Sequence, residues 1–303
     1  MFKRIILPLD GSHLAEAVLP AALYLAETIG VEVVLLHLVE ENAPQSVHGE
    51  AHLTDPDQAF IYLEEIASQF PPNVQVESHV HEVQVSSVAD SISAHASELS
   101  SDLIALCTHG RGGLTGWLVG SIAQQVISIG SVPVLLITPN TEHHEFSFRE
   151  ILIPLDGNPE HEGGLHAAGA MVSHHKTRLH LLQVVPTLST LKGEEAAAGR
   201  LMPVSTHRLL DMAEQEAREH LAEHSRELKT AGFDVTIWVR RGDPVEQIIA
   251  TANQLPADLI VLGTHGKSGH KAFWESSVAP KIPERTMIPL LLVPVHGRVQ
   301  NKQ

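Results

Sequence analysis

Apolar residues along this chain fall into short, uninterrupted runs that are separated by segments with helical periodicity. The first half contains four such runs, which read IILPL, VVLLHLV, LIALC and VPVLLI. Strands that are apolar on both faces are typical of a parallel sheet covered by helices on both sides, whereas a sheet with one solvated face alternates apolar and polar residues. The pattern therefore predicts an α/β fold.

The segments between the runs predict amphipathic helices. Residues 12–29 carry an apolar stripe with Ser12 as the N-cap, and Pro20 inside the stripe predicts a kink. Residues 87–99 carry a similar stripe. Another helix is predicted to begin at the cap Asp243, because Pro244 then takes the first helical position, where its missing N–H is tolerated.

Almost the whole pattern occurs twice. Residues 5–11 read IILPLDG and residues 151–157 read ILIPLDG, at an offset of 151 − 5 = 146. Residues 102–110 read DLIALCTHG and residues 258–266 read DLIVLGTHG, at an offset of 258 − 102 = 156. The second copy therefore carries about ten extra residues (156 − 146 = 10), which we place between its second strand and second helix, where residues 187–203 are predicted to form an exposed loop.

Two copies in a chain of 303 residues predict two domains, since a domain usually has about 100–200 residues. We expect two tandem doubly wound domains, each with helices on both faces of a parallel sheet. Domain 1 is predicted over residues 1–140 and domain 2 over residues 149–296. A polar, His-rich linker over residues 141–148 joins them, and residues 297–303 form a tail.

Composition and charge narrow the classes of function. The formal net charge is −16 and no basic cluster is present, which argues against nucleic acid or an anionic membrane as a partner. The single cysteine, Cys107, cannot form an intramolecular disulfide and suits a reducing compartment. No apolar stretch approaches the roughly 18 residues of a membrane span, and the run before Pro8 is too short for a signal peptide. We expect a soluble, cytoplasmic protein.

Candidate binding residues lie where a doubly wound sheet binds its ligands, beyond the carboxyl ends of the strands at the point where strand order reverses. Asp10 and Asp156 end the first strand of each copy, and a glycine-containing loop follows each fourth strand. Glycines let the backbone approach an anion, and a helix beginning near Gly120 offers free N–H groups to a phosphate. Arg111 and Lys267 add positive charge to these loops. The pattern favours a nucleotide site over loops that only form tight turns.

These motifs resemble those of the universal stress protein family, whose ATP-binding members carry G-x2-G-x9-G-[S/T] after the fourth strand. The first copy reads Cys107-x2-Gly110-x9-Gly120-Ser121, and the second reads Gly263-x2-Gly266-x9-Ser276-Ser277. Each copy therefore departs from the motif at one glycine. The strand-one signature of the family appears as Pro8-x-Asp10-Gly11-Ser12 and as Pro154-x-Asp156-Gly157-Asn158. The resemblance covers both copies nearly end to end.

The resemblance implies a fold and a ligand. Each domain would hold five parallel strands in the order 3-2-1-4-5, and the fifth strands of the two domains would pair across a pseudo-twofold axis as an internal dimer, with a homodimer of whole chains left open. The implied ligand is ATP, with or without Mg²⁺. In the first copy the implied binding residues are Pro8, Asp10, Leu38, Cys107, Gly110, Arg111, Gly120, Ser121 and Ile122. In the second copy they are Asp156, Val184, Gly263, Gly266, Lys267, Ser276 and Ser277. Leu38 and Val184 would line the adenine through backbone contacts.

We expect ATP in domain 1 rather than domain 2. Cys107 is a small apolar residue that could narrow the pocket yet leave the phosphate cradle intact. Ser276 replaces a glycine of the cradle itself, which would cost about 1 kcal/mol or more if that position needs a positive φ. Pro280 also interrupts the helix that should follow.

Three functions remain open after the motifs are weighed. The favoured one is an ATP-binding stress sensor. A slow ATPase would need a carboxylate near the γ-phosphate, for which only the strand-one aspartate is a candidate, so we predict no catalytic residues. A scaffold or chaperone-like protein that binds no nucleotide is the third. We interpret Cys107 as a packed strand residue and not a redox switch, and His109 and His265 as loop-shaping residues and not acid–base groups.

The chain contains 21 histidines, some with the spacing of metal ligands. The spaced pairs are His48 and His52, His79 and His81, His143 and His144, His174 and His175, and His220 and His224. A zinc site needs three or four convergent ligands, and only one cysteine exists. We therefore interpret the histidines as solvated side chains and keep a zinc-binding stress protein as a lesser alternative.

Overall fold

The computed structural model describes residues 2–41, 43, 46–47, 50–111, 117–130, 132–139, 146–172, 177–191, 193–265 and 278–295. Ten strands form the main sheet: β1 Arg4–Pro8, β2 Glu32–Glu40, β3 Val76–Val85, β4 Leu103–Cys107, β5 Val134–Ile137, β6 Glu150–Leu155, β7 Arg178–Val185, β8 Asp234–Arg241, β9 Leu259–His265 and β10 Leu290–Val295. The α-helices are α1 Leu19–Ile29, α2 Pro56–Ala67, α3 Val88–Glu98, α4 Ser121–Ile129, α5 Gly163–Ala170, α6 Gly193–Leu201, α7 Pro203–Thr230 and α8 Pro244–Gln254.

The strand order confirms the predicted topology. The sheet runs β8-β7-β6-β9-β10-β5-β4-β1-β2-β3, so each copy has its own strands in the order 3-2-1-4-5. Within each copy all neighbouring strands are parallel. The two copies meet where β10 pairs with β5 antiparallel, with Leu291 opposite Leu135. This pairing confirms the internal dimer and occupies the free edge of both fifth strands.

Two continuous cores cover the two faces of the sheet. Successive residues of a strand point to opposite faces, so Ile5 joins one core and Ile6 joins the other. Helices α1, α2, α5 and α7 pack on the face of Ile5, and α3, α4 and α8 pack on the face of Ile6. Each core contains residues of both copies, such as Ile5 with Ile151. The β5–β10 junction is therefore covered on both sides.

The segment predicted as one kinked helix over residues 12–29 is divided in two. A 3₁₀ turn spans Ala15–Val18, and α1 begins at Leu19 with Pro20 in its first turn. Because N–H groups of a first helical turn lack intrahelical acceptors, Pro20 starts the α-helix and does not kink it. Ser12 caps the preceding turn, where its Oγ accepts a hydrogen bond from the Ala15 N–H at 3.2 Å.

Helices α3 and α8 begin as predicted. The Ser87 side chain accepts from the Asp90 N–H at the start of α3. The Asp243 carboxylate accepts from the N–H groups of Val245 and Glu246 at the start of α8, and Pro244 takes the first helical position. These caps satisfy donors that the helix geometry leaves unpaired.

The prediction of an exposed loop over residues 187–203 is wrong. Residues 193–201 form α6, whose sequence GEEAAAGRL is rich in helix-forming residues. The extra length of the second copy lies in α6 and in α7, which has 28 residues against 12 in its first-copy counterpart α2.

The end of the predicted linker packs against the first copy. Phe148 is fully buried, and its ring centroid lies 5.4 Å from that of Tyr24 on α1. Phe146 lies beside both rings, at 6.0 Å from Tyr24 and 5.0 Å from Phe148. Residues 140–145 and 296–303 lie outside the described residues, so the exact domain boundaries stay predictions. Among the helices of the described segments, none is long and apolar enough to cross a membrane.

Candidate functional site

A cavity of about 370 Å³ opens in the first copy beyond the carboxyl ends of β1, β2 and β4. This is the crevice where strand order reverses, since β1 has β2 on one side and β4 on the other. The first turns of α3 and α4 complete the walls. Six of the residues proposed from the sequence line the cavity: Pro8, Asp10, Leu38, Cys107, Gly120 and Ile122.

Asp10 presents one carboxylate oxygen to the protein and leaves the other available. Oδ1 accepts hydrogen bonds from the Ser12 N–H at 2.9 Å and from the Ser12 hydroxyl at 2.6 Å. These bonds fix the orientation of the carboxylate just beyond the carboxyl end of β1. Among the described residues, Oδ2 has no hydrogen-bond donor, so it can accept one from a ligand in the cavity.

The turn after Asp10 is held against the segment that precedes α2. Gly11 has a φ of +89°, and a Cβ there would lie 2.7 Å from Leu53 Cδ1, so only glycine fits. His37, buried at the end of β2, has Nδ1 2.8 Å from the Leu9 carbonyl oxygen and Nε2 3.0 Å from that of Leu53. These contacts bring the segment around Leu53 over the cavity.

His52 is the functional candidate in this cavity that sequence reasoning missed. Its side chain is 2% exposed and lines the cavity. Neither ring nitrogen has a hydrogen-bond partner among the described residues, and Glu40 Oε1 is 3.9 Å from Nε2. Burying polar atoms without hydrogen bonds costs free energy, so two such nitrogens in a cavity wall point to a polar ligand. The sequence showed only its spacing from His48, which lies outside the described residues.

Cys107 ends β4 and forms part of the cavity wall. Its Sγ lies 3.1 Å from the Thr108 carbonyl oxygen. Burial first, and the Asp10 carboxylate second, raise the pKa of the Cys107 thiol to about 12. The thiol therefore stays protonated near neutral pH, which agrees with a packed residue and not with a reactive thiolate.

Helix α4 directs its N-terminus at the cavity. Gly120 is its N-cap and is buried, and no side chain of the described residues caps this end. Its φ is −58°, which any residue adopts, so the first copy gives no support to a strained backbone at the corresponding Ser276, which lies outside the described residues. Ser121 is exposed at the first helical position. Gly110 and Arg111 lie in a short strand that pairs with residues 117–118, and the Arg111 side chain lies outside the described residues.

In the second copy both carboxylate oxygens of the corresponding aspartate have partners in the protein. Asp156 Oδ1 accepts from the Asn158 N–H at 3.0 Å, as Asp10 does from Ser12. Its Oδ2, however, lies 2.6 Å from His161 Nδ1. His161 is the counterpart of Ala15, which lines the first-copy cavity (161 − 15 = 146).

The other residues proposed for the second copy lie on its second and fourth strands and in the segment after the fourth strand. Val184 is half-buried on β7, and Gly263 is half-buried on β9. Gly266, Lys267, Ser276 and Ser277 lie outside the described residues. In residues 278–289 the only helical segment is the 3₁₀ turn Ala279–Lys281, which has Pro280 in its first turn. This turn agrees with the predicted interruption at Pro280. It follows β9 in the second copy, whereas the full helix α4 follows β4 in the first copy.

Comparison with known proteins decides the family. The family model described as Universal stress protein family matches residues 1–138 and again residues 147–294. The chain belongs to the universal stress protein family.

Relatives of this universal stress protein match one copy or both. Universal stress protein MJ0577 of Methanocaldococcus jannaschii is 24% identical over 153 residues, which cover 48% of this chain and 94% of the relative. Universal stress protein Sll1654 of Synechocystis is 31% identical over 140 residues, which cover 45% and 86%. The crystal structure of a universal stress protein from Archaeoglobus fulgidus is 18% identical, covers 96% of each chain and has a TM-score of 0.67. This likeness shows that the whole tandem fold occurs elsewhere.

The first-copy cavity of this universal stress protein combines three kinds of surface. Leu38, Val88 and Ile92 form an apolar side. Asp10 Oδ2 supplies a polar atom without a protein donor among the described residues, and the His52 ring in the wall holds two buried nitrogens that also lack partners there. The N–H groups of the first turn of α4 supply a positive end. Such a set can hold a ligand that has an apolar ring at one end and an anion at the other.

Proposed function

We propose that this universal stress protein is a cytoplasmic adenine-nucleotide-binding module whose nucleotide site is the first-copy cavity. The observation that carries the proposal is the buried His52 ring, which lines the cavity and whose two nitrogens have no hydrogen-bond partner among the described residues. The cavity volume of about 370 Å³ falls within the roughly 300–1,000 Å³ of small-molecule sites.

The walls of the cavity suggest how ATP would lie. The adenine would occupy the apolar side formed by Leu38, Val88 and Ile92. Asp10 Oδ2 would accept a hydrogen bond from a ribose hydroxyl, the role of acidic residues in related nucleotide folds. The phosphates would then extend toward the N-terminus of α4, where Gly120 leaves room and unpaired N–H groups favour an anion. Arg111, whose side chain is outside the described residues, would add charge there.

We favour binding over turnover. Asp10 is fixed through Oδ1 by Ser12 at the ribose end of this arrangement, away from the phosphates. Hydrolysis would need a group that orients water at the γ-phosphate, and no described residue of the cavity takes that place in the proposed arrangement. The protein would act as a sensor of ATP, with slow hydrolysis at most.

Calorimetric titration of the full, nucleotide-free chain with Mg-ATP tests the proposal. We expect one site per chain. His52→Leu should weaken binding about tenfold, because a hydrogen bond is worth about 0.5–1.5 kcal/mol and 1.4 kcal/mol corresponds to tenfold. His207→Gln, an exposed histidine on α7, is the matched control. Absence of binding by calorimetry and by equilibrium dialysis would instead favour the scaffold without nucleotide.

A further inference from the structure

A second cluster of polar side chains lies in the second copy, on the opposite face of the sheet from α8. It consists of Glu162, His220 and His224. Glu162 is the residue before α5, and the two histidines lie one turn apart on α7. The Nε2 atoms of the histidines are 3.1 Å apart. Each also lies close to Glu162 Oε1, at 3.1 Å for His220 and 3.0 Å for His224.

The three atoms form a nearly equilateral triangle of the size that a metal ion requires. Zinc binds imidazole nitrogen and carboxylate oxygen at about 2.0–2.2 Å, which places tetrahedral ligand atoms roughly 3.3 Å apart. The two imidazole rings are nearly perpendicular, at 89°, so both can direct Nε2 at one point. The three side chains are 14–22% exposed, which shields the point between them without sealing it.

The Nδ1 atoms of the two histidines face oxygen atoms of neighbouring side chains. His220 Nδ1 lies 3.2 Å from Gln183 Oε1 on β7, and His224 Nδ1 lies 3.7 Å from Glu227 Oε2. The acceptor at hydrogen-bond distance from His220 Nδ1 favours the proton on that nitrogen and a lone pair on Nε2, as in metal-binding histidines, whereas Glu227 is too far from His224 Nδ1 for a hydrogen bond. Two lone pairs and a carboxylate oxygen at about 3 Å from one another repel, and a cation between them converts that repulsion into attraction.

We propose that Glu162, His220 and His224 bind a divalent transition-metal ion, zinc in preference to magnesium or calcium. Two imidazoles and one carboxylate suit zinc, whereas magnesium and calcium prefer oxygen ligands. Three protein ligands leave a coordination position for water or for a ligand group. A cavity of about 660 Å³, lined by Glu162, His224 and the exposed His166, adjoins the site and gives that position access.

The structure thus changes the sequence interpretation of these histidines as solvated side chains. The pair His220 and His224 was visible in the sequence, but the third ligand is 58 residues from His220. The part of the first copy that the structure describes has no such set at the same place. There Glu16, the counterpart of Glu162 (162 − 16 = 146), accepts a hydrogen bond from the Tyr62 hydroxyl at 3.1 Å.

Titration of the metal-free full chain with Zn²⁺, in competition with a chromophoric chelator, tests this site. We expect one tight equivalent per chain, and Co²⁺ should give the absorption of a tetrahedral complex. His224→Gln and Glu162→Gln should each weaken binding by about 100-fold or more. Gln183→Leu keeps all three ligands and should weaken binding roughly 10–100-fold. His207→Gln, exposed on the same helix, should leave binding unchanged.

The outcomes separate this proposal from the nucleotide site, since the titration contains no nucleotide. A tight equivalent that is lost in His224→Gln and Glu162→Gln, with unchanged circular dichroism, supports the site. Absence of a tight equivalent overturns it. A tight equivalent that survives both substitutions also overturns it, because the metal would then bind other histidines. The cluster would in either case be a hydrogen-bonded carboxylate and histidine triad only.

Discussion

The two copies place a carboxylate at the same point of the same fold but surround it differently. Asp10 and Asp156 both end a first strand and both accept a hydrogen bond from the backbone N–H two residues later. In the first copy Ala15 leaves the second oxygen open to a cavity, and in the second His161 pairs with that oxygen at 2.6 Å. The fold fixes where the carboxylate lies, and one neighbouring residue decides whether its second oxygen already has a partner in the protein.

A second pair of carboxylates shows the same divergence. Glu16 accepts a hydrogen bond from Tyr62, whose pKa is raised by burial first and by the Glu16 carboxylate second, so Tyr62 stays a neutral donor. Glu162 instead faces His220 and His224. A neutral donor satisfies a carboxylate, whereas two imidazoles with free lone pairs turn it into part of a metal site. The corresponding carboxylates of the two copies therefore have different partners at both positions.

Ala15→His should produce the largest change in ATP affinity. It gives the first copy a histidine at the position of His161, which pairs with Asp156 in the second copy. The imidazole would enter the cavity and pair with Asp10, and we expect ATP affinity to fall by about 100-fold or more, measured by calorimetry. The reciprocal His161→Ala should leave the first-copy site unchanged. Wild-type affinity in a folded Ala15→His variant would break the comparison.

Asp10→Asn should have the next largest effect. Asparagine keeps an acceptor for Ser12 but loses the charge, and hydrogen bonds to charged groups are worth about 1.5–3 kcal/mol, so ATP affinity should fall roughly 10–100-fold. Asp156→Asn is the matched control and should change affinity little. Equal losses in the two variants would show that both copies hold nucleotide.

Cys107 offers a smaller, chemical test of the cavity. Its pKa of about 12 leaves a thiolate fraction on the order of 10⁻⁴ at pH 8, so iodoacetamide should modify the folded protein slowly. ATP should slow the reaction further, because Cys107 lines the cavity. The same thiol in urea should react at an ordinary rate, and mass spectrometry follows all three reactions. Fast modification that ATP does not slow would contradict this account of the cavity wall.

The smallest predicted effect concerns acid stability. The pKa of His79 on β3 is lowered by burial first and by His95 second, and also by His81, while Glu77 and Glu98 act in the opposite direction. The unfolded chain then takes up the proton more readily than the folded one, so this contribution to stability is full above about pH 6.5 and declines as the pH falls below it. In the second copy the position that corresponds to His79 holds Trp238, which does not titrate.

His79→Gln should therefore reduce the loss of stability between pH 7.5 and pH 5.5, measured as the shift of the urea midpoint. His207→Gln, an exposed histidine outside the cluster, should show the wild-type shift. An unchanged shift in His79→Gln would mean that other groups govern acid sensitivity.

Much of the fold could be predicted from the sequence because its strand and cap motifs are local. The PLDG motif at Asp10 and Asp156, the cap at Asp243 and the repeat offset each depend on residues close in the chain. α6 was missed because its polar sequence has no apolar stripe, although its residues favour a helix.

The chemistry depended on contacts that the sequence does not show. His52 reaches the cavity only because His37 and Gly11 hold the neighbouring segment over β1 and β2. Glu162 meets His220 across 58 residues of chain. Long-range packing sets both positions, and no local periodicity or spacing reports it.

Hydrogen–deuterium exchange of the full chain with and without ATP tests the central claim most directly, because it reports each copy separately. We predict that ATP protects the segments around Asp10, Leu38 and Gly120 and leaves those around Asp156 and Val184 unchanged. Protection confined to the second copy, or equal in both, would contradict the proposal that the two copies have diverged into one open and one closed nucleotide site.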